Sequence, residues 1–259
     1  MSHRFTRAIV RPPSSNFADG LTSVSLGKPD FALAVRQYAQ YCAALERCGL
    51  TLATLPEDSA HPDATFVEDA AVLSARCNVI TRPGASSREG EIVAIREALT
   101  ALKIKTVAIE APGTLDGGDI CEDGDHFYIG VSQRTNWDGA QQLAAFLEKA
   151  GYSTSCIDIR AVPDILHLKS GIASLGDNRV VAIDSLAGHH ALKTSEIVRV
   201  APGEEYAANC IRVNDHVLIA AGFPKIAQSL AKLGYEAIAL DMSEFQKMDG
   251  GLSCLSLRF

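Results

Sequence analysis

The chain has 259 residues, a mass of 27.6 kDa, a net charge of −7 and 47% apolar residues. That length and apolar content are enough to bury a core of ordinary size, which excludes the disordered and collagen-like classes of protein. The 31 acidic residues outnumber the 24 basic ones and no long run of like charges occurs, so no nucleic-acid partner is expected.

Neither the N-terminus nor any later segment carries an apolar run of the roughly 18 to 20 residues that a membrane helix needs. We therefore expect a soluble, cytoplasmic protein without a membrane partner. The seven cysteines include no C-x-x-C pair, so reduced thiols are expected rather than a disulfide framework or a zinc knuckle.

Five amphipathic helices are predicted at regular intervals along the chain. They cover, in order, about residues 30–48, 87–102, 136–150, 188–195 (the weakest pattern) and 224–234. Gly49 is expected to end the first helix, and Ser86 with Glu89 is expected to form a capping box at the start of the second.

A short strand is predicted after each helix, and a hairpin precedes each of the last three helices. The strands cover residues 50–55, 105–109, 152–159, 196–200 and 235–240, and the hairpins cover 120–131, 173–183 and 210–220. One unit therefore reads strand, strand, helix, strand over about fifty residues, and five such units fill the chain.

The strands at the two ends of the chain, residues 6–10 and 255–259, have no partner within their own units. Pairing them closes a ring and removes the exposed edges of the terminal sheets. We therefore predict one domain, residues 1–259, folded as a five-bladed α/β propeller of five ββαβ-like repeats with the helices outside. An ordinary α/β sandwich of the same elements is the alternative.

Polar residues recur at one phase of the repeat, in the turn that leads into each hairpin. Unit by unit they are Glu68-Asp69, Asp116 with Asp119, His167, Asn209 and Cys254. If the units are equivalent, these side chains converge on the axis of the ring. A thiol needs a nearby base or cation to act as a nucleophile, His167 can move a proton, and Asp116 can fix the tautomer of that imidazole.

The excess of carboxylates at this phase indicates the charge of the substrate. Asp63, Glu68 and Asp69 would repel the oxyanion of an acyl-transfer reaction, whereas carboxylates accept the forked donors of a guanidinium in pairs. Arg88 and Arg134 lie at matching strand-to-helix junctions, where they could hold a carboxylate. Together these groups predict an arginine derivative as substrate.

The motifs resemble the dimethylarginine dimethylaminohydrolase family, which belongs to the guanidine-modifying superfamily of pentein-type, five-bladed α/β propellers. The segments that carry the resemblance are Phe66-Val67-Glu68-Asp69, the run from Thr114 to Asp119, His126 to Gly130 with Arg134-Thr135-Asn136, Leu166 to Ser170, and Met248 to Cys254. The resemblance as a whole runs from about Arg7 to the C-terminus and is specific at these five separated places.

Position by position, the resemblance implies a role for each matching residue. It implies Cys254 as nucleophile, His167 as general acid and base, and Asp116 at a place that family members fill with Asp or Glu. Substrate contacts are implied for Glu68 and Asp69 at the guanidinium, for Asp63, Arg88 and Arg134 at the amino-acid end, for Leu21 in a covering loop, and for Met248, where smaller branched residues are usual.

The reaction implied by the resemblance is hydrolysis of asymmetric dimethylarginine or monomethylarginine to citrulline and dimethylamine or methylamine. It runs through a covalent thiouronium intermediate and needs no metal or organic cofactor. The expected partner is this small molecule alone, acting on a monomer or homodimer.

Three other functions remain open on the sequence. One is an arginine or agmatine deiminase, although arginine deiminases are usually much longer and agmatine has no carboxylate for the two arginines. Another is a non-catalytic propeller that binds a partner, which would not need Cys254, His167 and Asp116 together. The third is a cysteine hydrolase of amides, which would need oxyanion donors where carboxylates stand.

Overall fold

The computed structural model describes residues 4–259. The strands are β1 (Arg7–Val10), β2 (Thr51–Thr54), β3 (Ala71–Leu73), β4 (Asn78–Ile80), β5 (Val107–Ala108), β6 (Ile120–Asp123), β7 (His126–Val131), β8 (Ser153–Asp158), β9 (Ile172–Gly176), β10 (Arg179–Ala182), β11 (Glu196–Arg199), β12 (Ile211–Val213), β13 (His216–Ala220), β14 (Glu236–Leu240) and β15 (Leu257–Arg258). The α-helices are α1 (Phe31–Arg47), α2 (Ile92–Ala101), α3 (Trp137–Lys149), α4 (Asp184–Ala187), α5 (Pro224–Lys232) and α6 (Ser243–Gln246).

These strands form small three-stranded sheets with one common plan. The middle strand of each sheet is antiparallel to the first and parallel to the third. A parallel pair needs a long crossover, and helical segments supply it between the second and third strands of each unit. The sheet orders are β15-β1-β2, β3-β4-β5, β6-β7-β8, β9-β10-β11 and β12-β13-β14.

The ring closes because the two ends of the chain share a sheet. Ala8 pairs with Arg258 and Ile9 with Leu257 in antiparallel register. Arg7 and Phe259 add reciprocal backbone hydrogen bonds of 2.8 and 2.9 Å. The C-terminal strand thus becomes the first strand of the first blade, and the predicted five-bladed α/β propeller is confirmed.

The ends of the long helices follow the local sequence. The side chain of Asp30 caps α1 by accepting the Leu33 amide, and Asn136 caps α3 by accepting the Gly139 amide. Gly49, just after α1, has a φ of 92°, a conformation that glycine adopts without steric cost and that turns the chain out of the helix. The segments 30–48 and 136–150 were therefore predicted correctly to within two residues.

Two predictions about helices were wrong. The segment Ser86–Glu91 is a 3₁₀-helix with no side-chain cap, and α2 begins only at Ile92. The capping box does not form in a segment whose Arg88 and Glu91 side chains are drawn inward to buried ionic contacts. The fourth helix was predicted at 188–195, but the helix found there, α4, ends before Gly188. Within the predicted segment only a 3₁₀ turn forms, at His190–Leu192.

Short 3₁₀ turns stand directly before the first strand of each sheet, at one end of the ring axis. Neighbouring turns contact one another, and so do neighbouring first strands such as β6 and β9 or β15 and β3. Residues at the same position of successive units therefore lie close together in space. The turns are Val67–Ala70, Gly117–Asp119, Leu168–Ser170, Glu205–Ala208 and Ser253–Leu255.

Apolar clusters lie between the blades and under the helices. One such cluster includes Tyr41, Leu45, Phe245 and Leu255, all fully buried, so α1 is packed against the segment that carries the C-terminus. No helix within residues 4–259 is long and apolar enough to cross a bilayer.

Replacing Asn136 by alanine should destabilise the protein more than replacing Asp30. Both residues cap a helix, which is worth about 1 kcal/mol. The Asn136 amide also accepts the Thr114 N–H at 3.0 Å and donates to the Pro112 carbonyl at 2.9 Å, so its loss breaks additional contacts. Urea unfolding of Asn136→Ala and Asp30→Ala measures the difference, and equal losses would contradict this account of Asn136.

Candidate active site

A narrow pocket, here called the front pocket, lies at the end of the axis where the 3₁₀ turns meet. Its non-atom space, including the mouth, is about 310 Å³. The structure brings eight of the ten predicted site residues to its wall, while Asp116 lies behind His167 and Glu68 lies elsewhere. The eight are Leu21, Asp63, Asp69, Arg88, Arg134, His167, Met248 and Cys254.

Sequence reasoning did not single out four further residues of this wall. Phe66, Leu166, Asp249 and Gly250 also line the front pocket. Each of them belongs to, or directly adjoins, a residue of the motifs that carry the family resemblance, which is the signal that could have identified them.

Cys254 lies in the turn Ser253–Leu255 and keeps 8% of its surface exposed. Asn209 holds this turn by accepting the Ser253 amide at 2.9 Å and donating to the Ser253 hydroxyl at 3.0 Å. Burial, followed by the negative charges of Glu68 and Asp69, raises the pKa of the Cys254 thiol to about 12. Without a ligand, Cys254 is therefore a neutral thiol at physiological pH.

His167 is buried against a carboxylate. Its Nε2 lies 3.2 Å from Oδ2 of Asp116. Burial alone would lower the pKa of the imidazole, but the charge of Asp69 and the hydrogen bond to Asp116 outweigh it and raise the pKa to about 9. At neutral pH the ring is therefore an imidazolium that can give up a proton.

Asp116 and Asp119 are fully buried and are fixed by hydrogen bonds to other parts of the protein. Asp116 accepts the Gly84 amide at 2.8 Å, and its own amide donates to the Thr135 hydroxyl at 3.1 Å. Asp119 accepts the Thr135 hydroxyl at 2.6 Å and the Leu168 amide at 3.0 Å. Asp119 thus ties the His167 turn to the segment that leads into α3.

The glycine pair of the Thr114–Asp119 motif is required by close packing. A Cβ on Gly118 would lie 2.6 Å from Nδ1 of His167, and one on Gly117 would collide with the backbone carbonyl of Glu68. The Gly118 amide also donates to Oδ1 of Asp69 at 2.8 Å. The backbone therefore approaches the reactive side chains as only glycine allows.

Arg88 is buried at the pocket wall, with its guanidinium already in contact with protein acids. It lies 2.6 Å from Asp69 and 2.7 Å from Glu91, and it also donates to the Phe66 carbonyl at 3.2 Å. Although burial raises the pKa of Asp69, the charges of His167 and Arg88 reverse that effect and lower it. Asp69 is therefore held as a carboxylate between two cations.

Arg134 differs from Arg88 in having a free donor. Its Nη1 is buried and has no hydrogen-bond partner among residues 4–259. Asp63 faces the same wall, where burial raises the pKa of its carboxyl although Arg88 and Arg134 oppose this. An unpaired guanidinium donor beside a desolvated carboxyl is suited to a ligand that carries both a carboxylate and an amine.

The segment around Leu21 covers the mouth of the front pocket. The Leu21 amide donates to both oxygens of Asp63 at 3.1 Å, and the Thr22 hydroxyl donates to the Lys247 carbonyl at 3.0 Å. The Leu21 side chain itself remains 41% exposed. The loop is thus anchored through its polar atoms, while little apolar surface holds it down.

Glu68 does not line the front pocket. It faces a second cavity on the opposite side of the ring, here called the rear cavity, whose non-atom space, including open solvent, is about 2980 Å³. Its Oε1 lies 2.6 Å from Lys169 Nζ and 3.2 Å from Arg258 Nη2. Because Lys169 and Arg258 also line the rear cavity, this ionic cluster forms part of the partition between the two spaces.

Asp69, Asp116 and His167 present oxygen and nitrogen atoms within 4.8 Å of one another, as ligands of a metal ion would. The same groups have protein partners, since Asp69 accepts from Arg88 and Gly118 while Asp116 accepts from Gly84 and contacts His167. Ion pairing within the protein thus accounts for their proximity.

Comparisons with known proteins give close relatives over the whole length. An N(G),N(G)-dimethylarginine dimethylaminohydrolase of Pseudomonas aeruginosa is 46% identical over 256 residues, covering 98% of this chain and 100% of the relative. One of Streptomyces coelicolor is 40% identical, covering 97% and 96%. No family model matches the chain.

Several solved structures have the same fold as this chain. A mutant dimethylarginine dimethylaminohydrolase of Pseudomonas aeruginosa, complexed with citrulline, matches 99% of this chain and 100% of its own with a TM-score of 0.95 and 44% identity. The N-terminal domain of ArgZ, a cyanobacterial arginine dihydrolase, covers 99% and 97% with a TM-score of 0.86 at 17% identity and so shares the fold.

Replacing Asp116 by asparagine should lower the pKa of His167 from about 9 toward the ordinary 6.5, because the carboxylate no longer stabilises the imidazolium. NMR titration of the imidazole measures this pKa directly. Asp215→Asn, which removes an exposed carboxylate, is the control and should leave the pKa unchanged.

The same variant changes how stability depends on pH. A folded-state pKa of about 9 against 6.5 means that protonated His167 stabilises the fold fully below pH 6.5 and that this contribution is lost as the pH rises through 9. The protein should lose more stability between these pH values than Asp116→Asn does. Parallel stability curves would show that Asp116 does not raise the pKa.

Proposed function

The chain belongs to the dimethylarginine dimethylaminohydrolase family, and on that premise we propose that it hydrolyses asymmetric dimethylarginine and monomethylarginine. The products are citrulline and dimethylamine or methylamine, so the protein is a hydrolase of C–N bonds in linear amidines. The observation that carries the proposal is one narrow pocket lined by the Cys254 thiol, the His167 imidazole and the unpaired donor of Arg134.

The charges of the pocket fit the two ends of such a substrate. Asp69, held ionised by Arg88, is available to accept the planar cation near Cys254. Arg134 offers its free donor to the substrate carboxylate, and Asp63 offers an acceptor to the amino group. Arg88 contributes through Asp69, and Leu21 and Met248 enclose the aliphatic part.

Bound substrate supplies the charge that the resting thiol lacks. A guanidinium beside Cys254 favours the thiolate, because it offsets the burial and the carboxylates that keep the thiol neutral. The thiol proton passes to solvent water, since His167 is already protonated. The thiolate sulfur then forms a bond to the central guanidinium carbon. His167, protonated at rest, gives its proton to the substituted nitrogen as the C–N bond breaks, so neutral amine leaves and a cationic thiouronium remains on Cys254.

Water completes the cycle. Neutral His167 removes a proton as the water oxygen bonds to the thiouronium carbon, and the C–S bond breaks to return the thiolate. The released urea becomes citrulline once it loses its extra proton to solvent water, and the amine that left earlier takes up one proton from solvent. Asp116 holds the imidazole in one orientation through both steps, and no step passes through a metal or organic cofactor.

We also propose the domain organisation, the location and the oligomeric state of the protein. The whole chain, residues 1–259, acts as one catalytic domain, because each turn of the site comes from a different blade. Its cysteines are all free thiols, as in proteins of the cytoplasm. The active form is a monomer or homodimer without a nucleic-acid or membrane partner.

Replacing Cys254 by serine should lower citrulline formation from asymmetric dimethylarginine at least about 10³-fold, because a serine hydroxyl is a far weaker nucleophile here. Cys77→Ser, at a partly buried thiol that does not line the front pocket, is the matched control and should keep full activity. The assay contains a chelator, so that retained activity of the parent protein also tests the absence of a metal requirement.

The same assay separates the alternatives by comparing dimethylarginine, monomethylarginine, arginine and agmatine. Faster release of ammonia from arginine or agmatine than of methylamines would identify a deiminase instead. Full turnover by Cys254→Ser would show that Cys254 is not the nucleophile.

Replacing Arg134 by glutamine should raise KM for dimethylarginine about ten- to a hundredfold with little change in kcat, because the lost charge binds ground state and transition state alike. Arg160→Gln, at an exposed arginine, is the control. A fall in kcat at unchanged KM would place Arg134 with the reacting atoms rather than at the substrate carboxylate.

A further inference from the structure

The rear cavity is separated from the front pocket by a thin layer of protein. Glu68 lines the rear cavity and Asp69 the front pocket, and Ser253 and Cys254 divide in the same way. Lys169 faces the rear and His167 the front. Residues adjacent in the sequence therefore line opposite spaces, so the rear cavity begins directly behind the front pocket.

Most charges around the rear cavity are paired with each other. Arg76 pairs with Asp125, Arg212 with Asp177 at 3.0 Å, and Arg4 with Asp215 at 2.8 Å. These pairs lie around the cavity with exposed carboxylates. These three arginines of the cavity wall are therefore already paired with carboxylates of the protein.

Two carboxylates of the rear cavity keep acceptor capacity. Glu68 is only 4% exposed, yet its Oε2 has no hydrogen-bond partner within residues 4–259. The Glu122 side chain also lines the cavity, makes no hydrogen bond or ion pair with the described part of the chain, and has its pKa raised to about 7, chiefly by burial. A buried acceptor without a donor, such as Glu68 Oε2, is costly, and a small organic cation with N–H groups would satisfy it and could also pair with the half-buried Glu122.

A role for the rear cavity in turnover rests on the proposed function, because the proposed hydrolysis releases a neutral amine that becomes such a cation when it takes up a proton. After the first step, the amino-acid part of the thiouronium still occupies the front pocket beneath the Leu21 loop, bound near Arg134. The amine must nevertheless leave and a water must enter before Cys254 is released. An exit at the rear lets both happen without opening the loop.

We propose that the rear cavity is a binding site for a small protonated alkylamine, and that the amine released at Cys254 leaves the protein through it. Glu68 receives the amine at its free Oε2 when the contacts of its other oxygen with Lys169 and Arg258 rearrange, and Glu122 holds the ammonium farther along the cavity. The amine leaves Cys254 neutral and becomes the ammonium by taking up a proton from water in the rear cavity.

Binding of dimethylammonium chloride to the Cys254→Ser protein saturated with citrulline tests the site independently of catalysis. Isotope-labelled dimethylammonium should bind in equilibrium dialysis at constant ionic strength although the front pocket is filled. Glu122→Gln should weaken this binding about tenfold or more, because a charge-assisted hydrogen bond is lost. Asp125→Asn, which removes an exposed and paired carboxylate of the same cavity, should not.

Unchanged citrulline affinity in Glu122→Gln shows that this variant is folded. Displacement of dimethylammonium by citrulline, or equal binding by Glu122→Gln and the parent, would overturn the site. Because Cys254→Ser performs no turnover in this measurement, these results are distinct from a failure of the proposed hydrolysis, which the citrulline assay detects.

Product inhibition tests the exit route. Dimethylammonium should inhibit turnover of dimethylarginine noncompetitively, since it binds the rear cavity while substrate occupies the front pocket, and Glu122→Gln should need about tenfold more for the same inhibition. Competitive inhibition with the same constant in both proteins would show that the amine leaves by the front.

Discussion

The pairing of β1 with β15 is the contact on which the site depends. It brings the two ends of the chain into one sheet and closes the ring, and it fixes the strand that begins three residues after Cys254. The nucleophile therefore takes its position from the strand Arg7–Val10, almost the whole length of the chain away. A sheet left open at this point would have an exposed edge and would also lose the alignment of thiol and imidazole.

The electrostatics of the site follow from burying acids and cations together. Asp69 lies between Arg88 and His167, and Asp116 contacts the imidazole from behind, so the ring is charged while the thiol beside these carboxylates is neutral. In the resting protein the imidazole is therefore protonated and the thiol is not ionised. A cationic substrate changes the balance locally, because it is attracted by the same carboxylates that suppress the thiolate.

The partition between front pocket and rear cavity shows how the propeller uses its axis. Two of the 3₁₀ turns present adjacent residues to opposite sides, so that Asp69 and Cys254 line the front pocket while Glu68 and Ser253 line the rear cavity. A fivefold ring naturally leaves space along its centre, and here the turns divide that space. Sequence neighbours thus acquire different surroundings although they share one short turn.

Much of this architecture could be predicted from the sequence, because repeated units are visible in the spacing of apolar residues and turns. That spacing predicted the blades, the closure of the ring and the common phase of Asp116, His167 and Cys254. The capping box at Ser86 and the helix at 188–195 were wrong, since local patterns do not reveal that Arg88 and Glu91 turn inward or that the helix ends at Gly188.

What only the tertiary structure decided is which side of the partition each side chain faces and which charges are already paired. Glu68, predicted to contact the guanidinium, lines the rear cavity and contacts Arg258, 190 residues away in the chain. Arg88, predicted to contact the amino-acid end of the substrate, is already paired with protein acids. Periodicity and turn chemistry act within a few residues and so are determined by the local sequence. Ion pairing and desolvation depend on segments that meet only when the ring closes.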